Sequence, residues 1–174
     1  MPADKVDLGC GEDDREGFVG VDIVDTEAAD VVHDLDEFPY PFEDDRFGYI
    51  LMSHVLEHLE DVVKVMEEVH RIGRDGAVVE IEVPYFTSRS AYGDPTHENF
   101  FTYDSFSHFV DEGPYSFYTD ARFEMVERKI EMASYPLGGL IERFVNRFPR
   151  LHEHTVSRAL FPTANIRVKL EVKK

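Results

Sequence analysis

The chain has 174 residues, of which 43% are hydrophobic, and its 36 acidic residues against 18 lysines and arginines give a formal net charge of −18. The length and composition predict one ordinary folded core, and the negative charge argues against a nucleic-acid substrate, because binding to phosphates needs clustered positive charge. No apolar run reaches the roughly 20 residues of a membrane helix, and no signal peptide precedes the first strand. The one cysteine excludes an internal disulfide. We therefore expect a cytoplasmic protein without a membrane span.

Short apolar runs bounded by glycine and acidic residues predict strands over residues 5–8, 18–22, 30–33 and 49–53. Apolar residues then recur at helical spacing from Leu59 to Ile72, and Gly73 follows where a C-cap glycine is expected. A fifth strand is predicted over 77–83 and ends at Pro84. The middle of the chain therefore alternates strand, helix and strand, as parallel α/β folds do.

The last third of the chain has a different pattern. Thr102 is placed to cap a short helix that carries Phe106 and Phe109, and two further strands are predicted over residues 123–132 and 166–172. Between these strands, residues 137–162 carry one apolar helical stripe beside several arginines, which could serve an acidic ligand, a partner chain or only the solvent. We expect a single domain in which 85–101 and 137–162 are insertions that cover a substrate or form an interface, 137–162 being the surface through which a homodimer could form.

Acidic residues and glycines mark the ends of the first predicted strands. Val6-Asp7-Leu8-Gly9-Cys10-Gly11 places an acid at a strand end and two glycines in the turn beyond it, where a backbone can pass close to a ligand. Asp22 ends the second strand, and a carboxylate there can accept hydrogen bonds from the two hydroxyls of a ribose. Three more segments follow in order, namely Asp34-Leu35, Ser53-His54-Val55-Leu56-Glu57-His58-Leu59 and Arg71-Ile72-Gly73-Arg74-Asp75-Gly76.

In this order the segments resemble the class I S-adenosylmethionine-dependent methyltransferases, specifically the group with a DLGCG start and a VLEHL segment after strand four. The resemblance covers roughly residues 5–110. It implies a Rossmann-like, doubly wound and mostly parallel sheet of about seven strands, with the last strand antiparallel. It also implies S-adenosylmethionine (SAM) as cofactor and methyl transfer to an unidentified small molecule or a carbohydrate-like or lipid-like precursor.

The resemblance implies a role for each matching residue, beginning with the first turn. Gly9, Cys10 and Gly11 would line the methionine end of SAM, and Asp7 would lie near its amino group. Asp22 would hold the ribose.

The later segments would complete the cofactor site. Ile23 would pack on the adenine, Asp34 would accept from the adenine amino group, and Leu35 would offer its backbone amide to the ring. Ser53 and His54, at the end of strand four, would face the methionine portion and the methyl group.

Two histidines are candidates for catalysis, since methyl transfer needs alignment and a place for a proton to go. His54 lies where strand four meets the cofactor crevice, and His97 follows strand five. Either could instead be a packed, hydrogen-bonded residue. His54, Glu57 and His58 also match the spacing of inverted zinc peptidases, but the segment directly follows a strand and has no distal acid ligand. We therefore read Glu57 and His58 as helix-start residues and expect no metal site.

Two other classes of function compete with an enzyme of this family. Only nine residues, 9–17, separate strands one and two, so the first helix is predicted to be one turn or absent. This shortening, with the missing N-terminal cover of larger relatives, favours as the alternative a non-catalytic SAM-binding module that scaffolds or regulates a partner. A nicotinamide-dependent oxidoreductase is less favoured, because Asp14 replaces the third glycine of its phosphate-binding pattern and would repel a pyrophosphate.

Overall fold

The computed structural model describes residues 3–110, 116–132, 138–161 and 163–174. In this part of the chain one seven-stranded sheet has the order β3-β2-β1-β4-β5-β7-β6. Its strands are β1 (Lys5–Leu8), β2 (Phe18–Asp22), β3 (Val31–Val32), β4 (Phe47–Ser53), β5 (Gly73–Pro84), β6 (Arg122–Met132) and β7 (Thr163–Lys173). Neighbours among β1 to β5 run parallel, whereas β7 lies antiparallel between β5 and β6. The order runs outward from β1 in both directions and the last strand is antiparallel, which confirms the predicted Rossmann-like class.

The long helix α1 (Val62–Ile72) runs directly into β5. It begins after Asp61, whose side chain accepts a hydrogen bond from the Lys64 N–H. Gly73 is at the C-cap position, as predicted, but its backbone is extended (φ −78°, ψ 132°) rather than left-handed. A side chain at Gly73 would lie 3.0 Å from the Val69 carbonyl oxygen. The junction therefore favours glycine because room for a side chain is limited, not because of an unusual φ.

The remaining helices are short. They are α2 (Arg89–Gly93), α3 (Gly138–Arg147), α4 (Pro149–His154) and α5 (Ser157–Leu160), with 3-10 turns at Leu56–His58, Ser105–Phe109 and Ser116–Tyr118. Among the residues described, no helix is both long enough and apolar enough to traverse a lipid bilayer.

Of two sequence predictions about these helices, one needs correction. The helix expected after Thr102 is a 3-10 turn whose N-cap is Asp104, while the Thr102 N–H donates to Ser105 Oγ at 2.9 Å. The apolar stripe predicted within 137–162 lies on α3 and the residue after it, and its members are Leu140, Ile141, Phe144, Val145 and Phe148. The rest of the segment forms two separate short helices, of which α4 begins at Pro149, a residue that fits only the first turn of a helix. The first and last residues of that segment lie outside the described residues.

One face of the sheet is apolar and carries the core. Val65, Met66 and Val69 of α1 are fully buried in it, together with Ile50 of β4 and Ile81 of β5. Because side chains alternate along a strand, every second residue of the central strands belongs to this face.

The opposite face of the central strands is polar. Glu80 and Glu82 of β5 stand directly opposite Lys169 and Arg167 of β7. Tyr49 Oη donates to Glu80 Oε2 at 2.5 Å, and an Arg167 guanidinium nitrogen donates to Glu82 Oε2 at 2.5 Å. No helix occurs in the connections between β1 and β4, which are residues 9–17, 23–30 and 33–46. The prediction that the first helix is one turn or absent is thus confirmed, and strand-to-strand ion pairs line the face that such helices would cover.

The outer edge of β6 is occupied by other parts of the chain. Asn146 of α3 donates from Nδ2 to the Ile130 carbonyl at 2.7 Å and accepts the Ile130 N–H at 2.8 Å through Oδ1. Farther along, Val110 forms an isolated bridge with Phe123. The opposite edge of the sheet, β3, contains only two residues.

Candidate functional site

A cavity of about 450 Å³ opens where β1, β2 and β3 end. This volume falls within the range of about 300–1,000 Å³ typical of small-ligand sites. The lining includes most of the predicted cofactor residues, namely Gly9, Gly11, Asp22, Ile23, Asp34, Leu35 and His54. Its other wall residues are Asp36, Val55, His58 and Leu59. We call it the first cavity.

The turn after β1 needs both of its glycines. Gly9 and Gly11 have positive φ angles of 78° and 58°, a region that costs other residues about 1–2 kcal/mol. A Cβ on Gly9 would lie 2.6 Å from Val55 Cγ2, whereas a Cβ on Gly11 would have no atom within 4 Å. The chain therefore presses against Val55 at Gly9 and leaves open space beside Gly11, which lines the cavity.

Asp22 is fixed in place by backbone donors. Its Oδ2 accepts the Gly11 N–H at 2.8 Å and its Oδ1 accepts the Val24 N–H at 3.0 Å. A carboxylate has about four acceptor sites, so both oxygens can still accept hydroxyl groups. On the same wall, Ile23 exposes 62% of its surface, and Asp34 is held by the Asp36 N–H at 3.0 Å. The wall thus combines an apolar side chain with two oriented carboxylates.

Asp7 was predicted for the cofactor site but does not line the first cavity. Val6 and Leu8 are buried in the apolar face, so the alternation of side chains directs Asp7 to the opposite face. There Asp7 is 2% exposed, and Arg15 Nε donates to its Oδ2 at 2.7 Å. Burial raises the pKa of the Asp7 carboxyl above its ordinary value, and the bond from Arg15 opposes this rise.

Cys10 and Ser53 also lie away from the first cavity. Cys10 is buried, and its Sγ is 3.6 Å from the Ala28 carbonyl oxygen, beneath the turn. Ser53 borders a depression on the polar face together with Glu82 and Arg167. The structure thus brings together the glycines, strand-end acids and His54, and separates Asp7, Cys10 and Ser53 from them.

A second cavity, of about 520 Å³, adjoins the first. Both predicted catalytic histidines, His54 and His97, border it, and His54 and His58 border the first cavity as well. The remaining residues around it are Glu57, Pro84, Ser90, Gly93, Asp94 and Pro95. His54 therefore stands at the passage between the two cavities.

His54 is held in a strained and specific position. Its φ is 57°, in the left-handed region that is rare outside glycine, and its N–H donates to the Glu82 carbonyl at 2.8 Å. Its Nδ1 is 3.1 Å from Glu57 Oε1, and its Nε2 is 3.6 Å from Glu82 Oε1. The hydrogen bond to Glu57 raises the pKa of the His54 imidazole, against burial, which lowers it. With Nδ1 donating to a carboxylate, Nε2 is the accepting nitrogen of the ring, and Asn165 Nδ2 lies 3.4 Å from it.

The loop that carries His97 is fastened to the turn that carries Glu57. The Glu57 carbonyl accepts the N–H groups of Glu98 at 2.8 Å and Asn99 at 3.1 Å. Asn99 Nδ2 donates to the Leu59 carbonyl at 2.5 Å. Glu57, read from the sequence as a helix-start residue, lies in the first turn of a 3-10 helix but is only 1% exposed. Its burial depends on this distant loop, and no local pattern in the sequence signals it.

Comparisons with known proteins agree with this geometry. Residues 2–120 match the sequence model of a family described as a methyltransferase domain. No curated protein matches the chain.

Solved structures share the fold. The YcgJ protein from Bacillus subtilis is 15% identical, with a TM-score of 0.62 over 98% of this chain and 91% of that protein. A SAM-dependent methyltransferase from Archaeoglobus fulgidus is 19% identical, with a TM-score of 0.55 over 96% and 85% of the two chains. Phosphoethanolamine N-methyltransferase 2 from Haemonchus contortus, in complex with phosphomonomethylethanolamine and S-adenosylhomocysteine, is 15% identical, with a TM-score of 0.56 over 97% of this chain and 48% of that one.

Proposed function

Because this chain belongs to the methyltransferase domain family, and is thus a SAM-dependent methyltransferase as its sequence predicts, we propose that it methylates a small molecule bound in the second cavity. The observation that carries the proposal is the position of His54, which borders both cavities. A group at that passage can reach both a donor in one cavity and an acceptor in the other.

The first cavity fits SAM in size and in the chemistry of its wall. We assign the ribose hydroxyls to Asp22, the adenine ring to the exposed side chain of Ile23, and the adenine amino group to Asp34. The open space beside Gly11 allows the methionine portion to approach the backbone. When bound, SAM supplies a methyl group on a positively charged sulfur. No helix follows Gly11, so a pyrophosphate would lack the helix N-terminus on which nicotinamide cofactors rely.

His54 is the proposed general base. Its Nδ1 donates to Glu57, which leaves Nε2 to accept the proton that an oxygen or nitrogen nucleophile loses on methylation. Glu57 and Glu82 then stabilise the imidazolium. The raised pKa of His54 makes it a stronger proton acceptor than an isolated imidazole.

The acceptor is proposed to be small and polar, with a carbohydrate-like or lipid-like precursor as the favoured class. The second cavity is bordered by polar and ionisable side chains, including His97 and Asp94. The Haemonchus contortus neighbour was solved with a small phosphorylated amine, which supports an acceptor of this size. Residues 85–101, on one side of the cavity, are the proposed substrate cover.

Residues 137–162 are proposed as a second cover or as the surface of a homodimer. The described helices of this segment expose large apolar side chains, among them Leu140, Leu151 and Leu160, which are 71%, 52% and 67% exposed. Sedimentation of the purified chain, compared with a Leu140→Glu/Leu160→Glu variant, separates the two roles. A dimer lost in the variant supports the interface, and a monomer in both overturns it.

The central test measures cofactor binding and turnover separately. Calorimetric titration with SAM should give saturable binding that Asp22→Ala weakens by about 10- to 100-fold, the value of hydrogen bonds to a charged group. Asp25→Ala is the matched control, because Asp25 is exposed in the same loop and does not line the cavity.

Turnover is then followed as S-adenosylhomocysteine formed in a small-molecule extract. His54→Asn should retain SAM binding and lose turnover. SAM binding with no turnover on any acceptor would favour the non-catalytic binding module, and no SAM binding would overturn the proposed function.

A further inference from the structure

Glu57, His58 and His97 form a cluster at the second cavity. One nitrogen or oxygen atom from each residue lies within 4.8 Å of those of the other two. The rings of His58 and His97 are in edge-to-face contact, with centroids 4.7 Å apart. The sequence pattern paired His54 with His58 and predicted no metal site, whereas the fold places His97 beside His58, and His54 Nδ1 contacts Glu57 Oε1.

Hydrogen bonds orient both histidine rings in the same way. His97 Nδ1 is 3.1 Å from the Ala91 carbonyl oxygen, which can only accept, so this nitrogen carries a proton. His58 Nδ1 is 3.0 Å from Thr96 Oγ1, and the Thr96 hydroxyl donates to Asp94 Oδ1 at 2.6 Å. The Thr96 oxygen must therefore accept from His58 Nδ1. In each neutral ring the lone pair is left on Nε2, the arrangement that outer hydrogen bonds impose on metal-binding histidines.

Glu57 supplies an independent sign of a missing ligand. Its side chain is 1% exposed, and Oε1 accepts from His54 Nδ1 at 3.1 Å. Oε2 is buried, and within the described part of the chain it has no hydrogen-bond partner. A buried acceptor without a partner costs free energy, so native proteins nearly always provide one.

We propose that Glu57, His58 and His97 bind a divalent transition-metal cation, with open coordination positions toward the second cavity. Two imidazole nitrogens and one carboxylate oxygen are the ligand set of catalytic zinc sites and related sites for other first-row metals. Three protein ligands leave room for a further ligand. Where the proposed function holds, an oxygen of the methyl acceptor takes that position and loses its proton more readily.

The test is direct metal binding, without SAM or an acceptor. The full chain is stripped with a chelator, dialysed and titrated calorimetrically with Zn²⁺, and Co²⁺ is added in parallel because its visible absorption reports the ligand atoms. We expect about one equivalent to bind, as for a single built site. His58→Asn, His97→Asn and Glu57→Gln should each weaken binding by tenfold or more, and Thr96→Val, which removes the support of His58, by about tenfold.

His154→Asn is the matched control, since His154 is exposed on α4, outside the cluster. Circular dichroism checks that each variant folds, and His97→Asn, in a loop, keeps the test decisive if the buried Glu57 variant does not fold. No saturable binding, or binding unchanged in the His58 and His97 variants, overturns the proposal. SAM titration in the presence of a chelator reports on the proposed function alone, so the two proposals can fail separately.

Discussion

The two faces of the sheet are built from alternate residues of the same strands but depend on different interactions. On one face, Ile81 and its neighbours are fully buried beneath α1. On the other, Glu80 and Glu82 are paired with Lys169 and Arg167, which are partly exposed. Burial of apolar area stabilises strongly, whereas ion pairs whose cationic partner remains partly in water contribute less. The fold therefore depends mainly on the apolar face, and the polar face of the central strands forms without the helices that usually cover it.

The largest expected effect is on the apolar face. Ile81→Ala removes a fully buried side chain from a central strand and should lower the free energy of unfolding by about 3 kcal/mol. Glu80→Gln, at the preceding position of the same strand, should lower it by less than about 1 kcal/mol. Urea denaturation of both variants measures the contrast. Equal losses would show that the two faces support the fold alike.

The next effect concerns the turn where the apolar face meets the first cavity. Gly9→Ala combines an unfavourable φ with a contact to Val55, so it should lower the free energy of unfolding by about 2–3 kcal/mol. Gly11→Ala has the same kind of backbone strain but open space, and about 1 kcal/mol is expected. Thermal unfolding of the pair ranks them. A Gly11 variant as unstable as the Gly9 variant would contradict the role given to Val55.

A smaller effect is expected for the ion pair between Arg15, in the loop that joins β1 and β2, and Asp7 of β1. Arg15→Ala leaves the buried Asp7 carboxylate without its partner and should cost about 1 kcal/mol near neutral pH, because Arg15 is itself partly exposed. The pKa of Asp7 is raised in the folded state. The stability that its protonation contributes is therefore fully present below about pH 3.8, the unfolded-state pKa, and is lost as the pH rises through the folded-state pKa.

Removal of Arg15 raises the Asp7 pKa further. The stability lost in Arg15→Ala should therefore be larger at about pH 8 than at about pH 4, as measured by urea unfolding at each pH. Asp7→Asn in the Arg15→Ala background should abolish this dependence. A loss independent of pH would place its origin elsewhere than Asp7.

The smallest effect is expected within the ion pairs of the polar face. Lys169→Met keeps most of the side-chain stem and removes a charge 3.3 Å from Glu80 Oε2. The free energy of unfolding should change by less than about 0.5 kcal/mol, and less again at about 1 M salt, which screens exposed charges. Denaturation at two salt concentrations checks this. A loss above about 1 kcal/mol that persists in salt would make the polar face a second stabilising layer.

The strands were predictable because their signals, short apolar runs bounded by glycine and acidic residues, lie within neighbouring positions of the sequence. β1 and β2 have the predicted bounds, whereas the predicted β3 was two residues too long and β5 begins earlier than residue 77. The early start of β5 depends on the loopless junction at Gly73, where space is limited by Val69 and Val172. Such close approach between distant segments is not visible in periodicity.

The first cavity was largely predictable, since strand-end residues of parallel neighbours meet at one edge of the sheet. Asp7 could have been placed on the opposite face from the sequence, because it alternates with the apolar Val6 and Leu8. The second cavity was not predictable beyond His54 and His97. It is assembled by hydrogen bonds between Glu57 and the loop after β5, which join residues far apart in the chain.

The occupied edge of β6 restricts how copies of this chain can associate. A sheet grows by pairing free backbone groups along an edge strand, which is also how many proteins aggregate. At Ile130 those groups are already bonded to the Asn146 side chain, Val110 bridges Phe123, and β3 offers only two residues at the other end. At these positions the described edges are closed to strand-to-strand pairing with another molecule, so we expect copies of the chain to associate through side-chain surfaces instead.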